Sequence, residues 1–235
     1  DIVDLRQRLL TFGSEAQIIA KIETKSAISP ENLEKIVQLS DGVMVARGDL
    51  AVEAGAEIVP VVQRRVITLC RKHGKMVIVA TQMMGSMVDN PEPTRAEVSD
   101  VATAVILGTD VVMLSDETAN GSYPVEAVKM MAKTVRYTQS RWPMNDMPIE
   151  YGEKNRRRNA IANAAVVVAN QVDADVIIAE TKSGATAARI AACRPELPIA
   201  AVTPNKRVAQ QLALSYATRS YVREEGEHVG TKLAK

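Results

Sequence analysis

The chain has 235 residues, 46% of them hydrophobic, with 29 Lys and Arg balanced by 28 Asp and Glu for a formal net charge of +1. That apolar content fits a globular protein of one large domain or two ordinary ones, and the balanced charge offers no basic field for nucleic acid or an acidic membrane surface. No run approaches the roughly 18 consecutive apolar residues of a membrane-spanning helix, and aromatics at 3% argue against stacking platforms for bases or sugars. The start, Asp1-Ile2-Val3-Asp4, lacks the basic and apolar regions of a secretion signal. Cys70 and Cys193, far apart in sequence, fit a reducing compartment without a disulfide framework. A cytoplasmic location is the expectation.

Taken in chain order, short apolar runs rich in β-branched residues predict strands at 18–22, 43–46, 76–80 and 111–114, each buried on both faces as in a parallel sheet. Between them lie helical patterns. The first begins at Pro30, with Ser29 as its cap, and runs to Leu39. The second spans Glu57 to Lys72 with Ile58, Val61, Val62, Val66, Ile67 and Leu69 on one stripe, Pro60 in an irregular first turn and His73-Gly74 as the stop. Two more cover Thr94–Leu107 and Pro124 to Thr138. Strand and helix alternating at roughly thirty residues define βα units with right-handed crossovers.

The stretch from Arg141 to Pro148 has two prolines and no periodicity, so a domain boundary is expected there. Beyond it, Asn155-Arg156-Arg157-Arg158 precedes an apolar helix at 160–172. Without interleaved aromatics, the arginine run reads as a solvated helix start or a subunit contact rather than a nucleic-acid patch. A strand at 175–179, a Thr181-Lys182-Ser183-Gly184 turn, a helix at 185–192, a strand at 198–202 and a helix at 205–214 make a smaller α/β region. No further strand is expected before Lys235.

All four early strands end in polar groups: Lys21-Ile22-Glu23-Thr24, Ala46-Arg47-Gly48-Asp49, Ala80-Thr81-Gln82 and Leu114-Ser115-Asp116-Glu117-Thr118. Ligands of parallel α/β sheets sit at that end. Glu23 and Asp49 are hard oxygen donors suited to a divalent cation, and Lys21, two residues before Glu23, points to the same side of its strand. A cation there is suited to negative charge developing on an enolate or a moving phosphoryl group. A strand-end salt bridge from Lys21 to Glu23 or Asp49 accounts for the same residues equally well. Amides at Gly48-Asp49-Leu50, in a short helical turn, and the Thr81 hydroxyl suit a carboxylate or phosphate. His73 ends a helix and His228 sits in an acidic tail; no Ser-His-Asp or Cys-His constellation exists, which removes the usual hydrolases.

Ile18 to Glu23, Asp41 to Leu50, Ala80-Thr81-Gln82-Met83, Pro93-Thr94-Arg95-Ala96-Glu97 and Met113 to Ala119 resemble the pyruvate kinase family in order and spacing, and Thr181 to Gly184 and Ala201-Val202-Thr203-Pro204 continue the match. The resemblance implies an α/β fold: the second half of a (βα)8 TIM barrel over 1–141, a linker at 142–154 and a partial three-layer α/β regulatory domain over 155–235. It implies glycolytic phosphotransfer from phosphoenolpyruvate to ADP, giving pyruvate and ATP, in a homotetramer. Glu23 and Asp49 would bind Mg2+ or Mn2+, and Lys21 would stabilise the transferring phosphoryl group and the enolate. Gly48, Asp49 and Thr81 would hold the substrate carboxylate. Ser115 and Glu117 would belong to a hydroxyl–water network that protonates enolpyruvate, and Arg47 and Arg95 would support the site and the subunit contact beside it. Thr181, Ser183 and Thr186 would take the phosphate of an allosteric sugar phosphate, a turn that helix capping explains equally well. The K+ ligands the family uses are expected outside this chain.

Asp116 stands where the family usually has Gly, Gly85 where an acidic residue is common, Ala51 where Gly is common and Thr24 where Asn is frequent. A closed barrel needs eight strands and about 250 residues, so a fragment with half an active site is expected. Two other readings stay open: a Mg2+-dependent barrel lyase acting on phosphoenolpyruvate or pyruvate, and a non-catalytic half-barrel that binds metabolites.

Overall fold

The computed structural model describes residues 1–143 and 156–224. The expected linker, all but its first two residues, and the tail with His228 lie outside the described residues. Those described form two compact units, each built on its own sheet.

In the first unit α1 (Ile2–Thr11) precedes β1 (Ile19–Ile22), α2 (Pro30–Leu39) and β2 (Gly42–Ala46). Next come α3 (Arg47–Ala54), a 3₁₀ turn at Ala56–Ile58, α4 (Val59–His73) and β3 (Met76–Ala80). A 3₁₀ turn at Gly85–Val88, α5 (Arg95–Ile106), β4 (Val111–Met113), α6 (Asp116–Ala119) and α7 (Pro124–Gln139) complete it. The sheet order is β1-β2-β3-β4. β1 runs parallel to β2 with Lys21 opposite Met44, and β3 runs parallel to β4 with Ala80 opposite Met113.

Local chemistry sets the helix boundaries. The Ser29 side chain accepts from the Asn32 amide at the start of α2, whose Leu33 and Val37, one turn apart, are fully buried. Pro60 is the second residue of α4, where its missing N–H leaves no bond unmade. Gly74 follows α4 at φ +63°, a conformation glycine adopts without strain. The buried stripe of α4 is Val62, Val66, Ile67 and Cys70; Val61, expected on it, is 70% exposed. That side chain lies one residue off the inward-facing register.

β2 and β3 are the buried strands, with Val43, Val45, Val77 and Val79 inaccessible to solvent. β1 and β4, expected to be equally buried, occupy the two edges of the sheet and are mostly half-buried. The core joins these strands to Leu33, Leu50, Val66, Met83, Met84, Met87 and Val101. β2 passes directly into α3 with no loop between them.

The second unit contains α8 (Arg156–Gln171), β5 (Ile177–Glu180), α9 (Ala185–Ala192), β6 (Ile199–Thr203), α10 (Lys206–Gln211), a 3₁₀ turn at Leu212–Leu214 and β7 (Thr218–Val222). β6 lies between β5 and β7, parallel to both. The exposed Arg156, Arg157 and Arg158 form the first turn of α8. β7 was not expected from the sequence: it lies at the sheet edge with its residues half-buried or exposed, so it lacks the apolar run that marks the other strands. Asn205 caps α10 by accepting from the amides of Arg207 and Val208.

Candidate active site

The parallel strands bring their carboxyl ends to one edge of the first sheet. At β1, the Lys21 ammonium lies 2.7 Å from Glu23 Oε2 and 3.9 Å from Asp49 Oδ2, so one lysine joins the ends of β1 and β2. Its hydrogen bond and charge pairing with Glu23, with a smaller contribution from Asp49, raise the Lys21 pKa above the ordinary lysine value and keep it cationic. The expected salt bridge is therefore present, and it gathers the same three groups that the phosphoryl-transfer reading needs.

Because α3 starts at Arg47, Gly48 and Asp49 fall in its first turn, where backbone amides have no partner within the helix. The Gly48 amide donates to Thr81 Oγ1 at 2.8 Å, joining the ends of β2 and β3. The Thr81 hydroxyl keeps its own proton to donate. A Cβ on Gly48 would come within 3.3 Å of Thr81 Oγ1, which explains the glycine. Thr81 and Gln82 both have left-handed backbone, at φ +68° and +52°, unusual for residues with side chains.

Arg47 holds that strained pair. Arg47 is 8% exposed, and its Nη2 donates to the Gln82 carbonyl at 2.9 Å and to Asp100 Oδ2 at 2.6 Å. Glu117 is 2% exposed, and its carboxylate accepts from the Met84 amide at 3.1 Å and the Ser115 amide at 2.7 Å. It thereby ties the segment after β3 to the end of β4. Asp116 is exposed and accepts from the Asn120 side chain, facing away from Glu117's bonds. Arg95 lines a different cleft, of about 640 Å³ between α5 and α7, with Met130, Tyr137 and Trp142 among its walls.

Gln82, Met84 and Asp100 were not singled out from sequence. Asp100 acts 53 residues from Arg47 and carries no local signature. Glu97 stands within the Pro93–Glu97 motif, and Thr94-x-x-Glu97 has the spacing of a capping box, which the structure forms.

Among the described residues, no group of three or more His, Cys, Asp or Glu is arranged to hold a metal. Glu23 and Asp49 fit a hard divalent cation that keeps water or substrate oxygens as its other ligands. Glu23 Oε2 is enclosed, with the Lys21 ammonium beside it at 2.7 Å. It is a carboxylate oxygen with coordinating capacity to spare.

In the second unit, Thr181 is buried and its amide donates to the Val202 carbonyl at 2.9 Å, whereas Ser183 and Thr186 are exposed. Gly184, at φ +81°, precedes α9 as its N-cap and no side chain caps that helix, so the capping alternative for these hydroxyls is not seen. Asn159 on α8 accepts from Arg189 on α9. Burial, together with the nearby Arg158 charge, lowers the Arg189 pKa.

Fold and site define a class: parallel βα units whose strand ends gather carboxylates, a lysine and the first-turn amides of a helix, at the end where such sheets bind ligands. Comparison with known proteins makes this specific. The pyruvate kinase barrel domain matches residues 1–128 and the pyruvate kinase alpha/beta domain matches residues 159–234. The chain belongs to the pyruvate kinase family. It is 48% identical over 215 residues to pyruvate kinase of Agrobacterium vitis, covering 90% of this chain and 43% of that protein. It is 40% identical over 228 residues to pyruvate kinase of Clostridium acetobutylicum, covering 96% and 48%. The crystal structure of pyruvate kinase from Pyrobaculum aerophilum superposes with a TM-score of 0.88 at 36% identity, covering 99% of this chain and 54% of that one. The chain thus spans about half the length of the relatives it matches. Among the described residues, no helix is long and apolar enough to cross a membrane.

Proposed function

We propose that this chain supplies half of an active site that transfers the phosphoryl group of phosphoenolpyruvate to ADP, giving pyruvate and ATP. The observation that carries the proposal is the Lys21 ammonium held between Glu23 and Asp49 beside the Gly48–Thr81 pair. Backbone amides of the first turn of α3 and the Thr81 hydroxyl would hold the substrate carboxylate. Lys21 would face the bridging oxygen, stabilising the phosphoryl group in flight and then the enolate left behind. Ser115 would pass a proton toward the enolate carbon, its backbone fixed by Glu117. Glu23 and Asp49 would hold Mg2+ or Mn2+, whose chemistry is to neutralise charge on the transferring group and on pyruvate.

The proposal extends to domain boundaries near 141 and 155, a K+ requirement met by residues outside this chain, a homotetramer and a cytoplasmic setting. The turn at Thr181–Gly184, with exposed Ser183 and Thr186 at an uncapped helix start, would take the phosphate of a sugar-phosphate effector.

ADP phosphorylation by phosphoenolpyruvate, with Mg2+ and K+, is the test. The full-length protein is expected to turn over and this chain alone is not. Aldol cleavage without phosphotransfer by the full-length protein would replace the reading with a lyase. Metabolite binding without either activity would leave a non-catalytic half-barrel.

A further inference from the structure

The Pro93-Thr94-Arg95-Ala96-Glu97 run has a feature the proposed chemistry does not use. The Glu97 carboxylate takes four hydrogen bonds. Oε1 accepts from the Ser86 amide at 2.6 Å, while Oε2 accepts from the Ser86 hydroxyl at 2.5 Å, the Thr94 amide at 2.7 Å and the Thr94 hydroxyl at 2.8 Å. The last two belong to the cap of α5, but the first two do not: they reach back eleven residues to the turn that follows β3. A helix cap needs only the Thr94 half of this arrangement.

The second half leads to the site. Ser86 lies in the 3₁₀ turn Gly85–Val88, whose Met87 amide donates to the Met84 carbonyl at 2.9 Å. The Met84 amide in turn donates to Glu117, whose other oxygen holds the Ser115 amide. A parallel tie runs from the Ser122 amide to the Val88 carbonyl at 2.7 Å. Met84 is two residues from Gln82, where the left-handed Thr81–Gln82 backbone must be kept in place. One carboxylate therefore closes the loop 86–94 at both ends and anchors the segment that sets the positions of Thr81 and Ser115.

We infer that Glu97 is a positioning residue for the reaction: through Ser86, Met84 and Glu117 it fixes the Ser115 end of β4 against the Thr81 end of β3. The inference rests on the proposed phosphotransfer only for its kinetic consequence. The ligand carboxylate site at Gly48 and Thr81 is also braced by Arg47, so loss of Glu97 falls mainly on the step that needs Ser115.

The test compares the full-length protein with its Glu97→Gln variant, in which the amide nitrogen cannot accept the bonds that one carboxylate oxygen receives. Two readouts are taken: steady-state phosphotransfer, and hydrogen exchange at the Met84 and Ser115 amides. The expected result is a kcat about tenfold lower at nearly unchanged KM for phosphoenolpyruvate, with both amides exchanging about tenfold faster and Ile22 and Val43 amides unaffected. Ser86→Ala, which removes one of the two reaching bonds and leaves the helix cap intact, is expected to shift the same readouts in the same direction by a smaller factor. It serves as the variant of record should Glu97→Gln fail to fold. Lower thermal stability with kcat and the two amide rates within twofold of the parent would overturn the inference and reduce Glu97 to a helix cap. If the parent shows no phosphotransfer, the functional proposal fails on its own, and the amide-exchange arm still decides whether Glu97 fixes Ser115.

Discussion

The end of the first sheet and the end of the second place polar groups after parallel strands, yet they are built differently. After β2 to β4, groups of the site are tied to partners distant in sequence: Gly48 to Thr81, Arg47 to Asp100, Glu117 to Met84. After β5, Ser183 in the turn and Thr186 in the first turn of α9 stand exposed, and between them Gly184 is buried where a Cβ would meet Val208 and Leu212. Long-range bracing suits groups that must be in position before the substrate arrives, because preorganised electrostatics act without rearrangement during reaction. An exposed turn suits a ligand whose binding changes something else.

This contrast can be broken at several points. The largest effect is expected from Lys21→Met in the full-length protein, where removing the charge between Glu23 and Asp49 should lower kcat by about 10²–10³. A coupled pyruvate assay measures it, and activity within threefold of the parent would remove Lys21 from the chemistry. Next is Arg47→Lys, which keeps the charge but removes the planar guanidinium whose Nη2 grips Gln82 and Asp100 together. Urea unfolding should show a loss of about 1–3 kcal/mol, and an unchanged midpoint would mean that the Thr81–Gln82 backbone needs no brace.

A third effect is sharper than it is large. Burial pushes the Glu97 carboxyl up, but the hydrogen bonds from Ser86 and Thr94 outweigh it and hold the pKa below the ordinary glutamate value. Because the native value is depressed, the stabilisation is fully present above the unfolded pKa of about 4.3 and is lost as pH falls through the native one. Titration of the Glu97 carboxyl by NMR should give a midpoint under the ordinary value; one above it would mean that burial wins. The smallest effect is expected from Thr186→Ala, exposed in the first turn of α9. It should change stability by less than about 0.5 kcal/mol while abolishing the response of the full-length protein to a sugar phosphate, read as phosphoenolpyruvate saturation with and without that ligand.

The buried strands were legible because Val43-Met44-Val45 and Val77-Ile78-Val79 are continuous apolar runs, a pattern strands buried on both faces impose. β7 was not, since Thr218-Arg219-Ser220-Tyr221-Val222 sits at an edge and has no such run. Nor was α1, which buries none of its residues and leaves Val3, Leu5 and Leu10 exposed. At the site, the strand ends announced themselves by residue type. Their supports did not: Asp100 and Met84 contribute one carboxylate and one amide whose meaning depends on contacts formed only in the fold. Asp116, standing where the family usually has Gly, accepts from the Asn120 side chain on the surface.

The direct passage of β2 into α3 has a consequence for how this region can vary. A helix turns by about 100° per residue, so one residue inserted or deleted between Val45 and Asp49 would swing Asp49 away from Lys21 and take the Gly48 amide off Thr81. The β2–α3 junction has no slack, and length changes there should be purged.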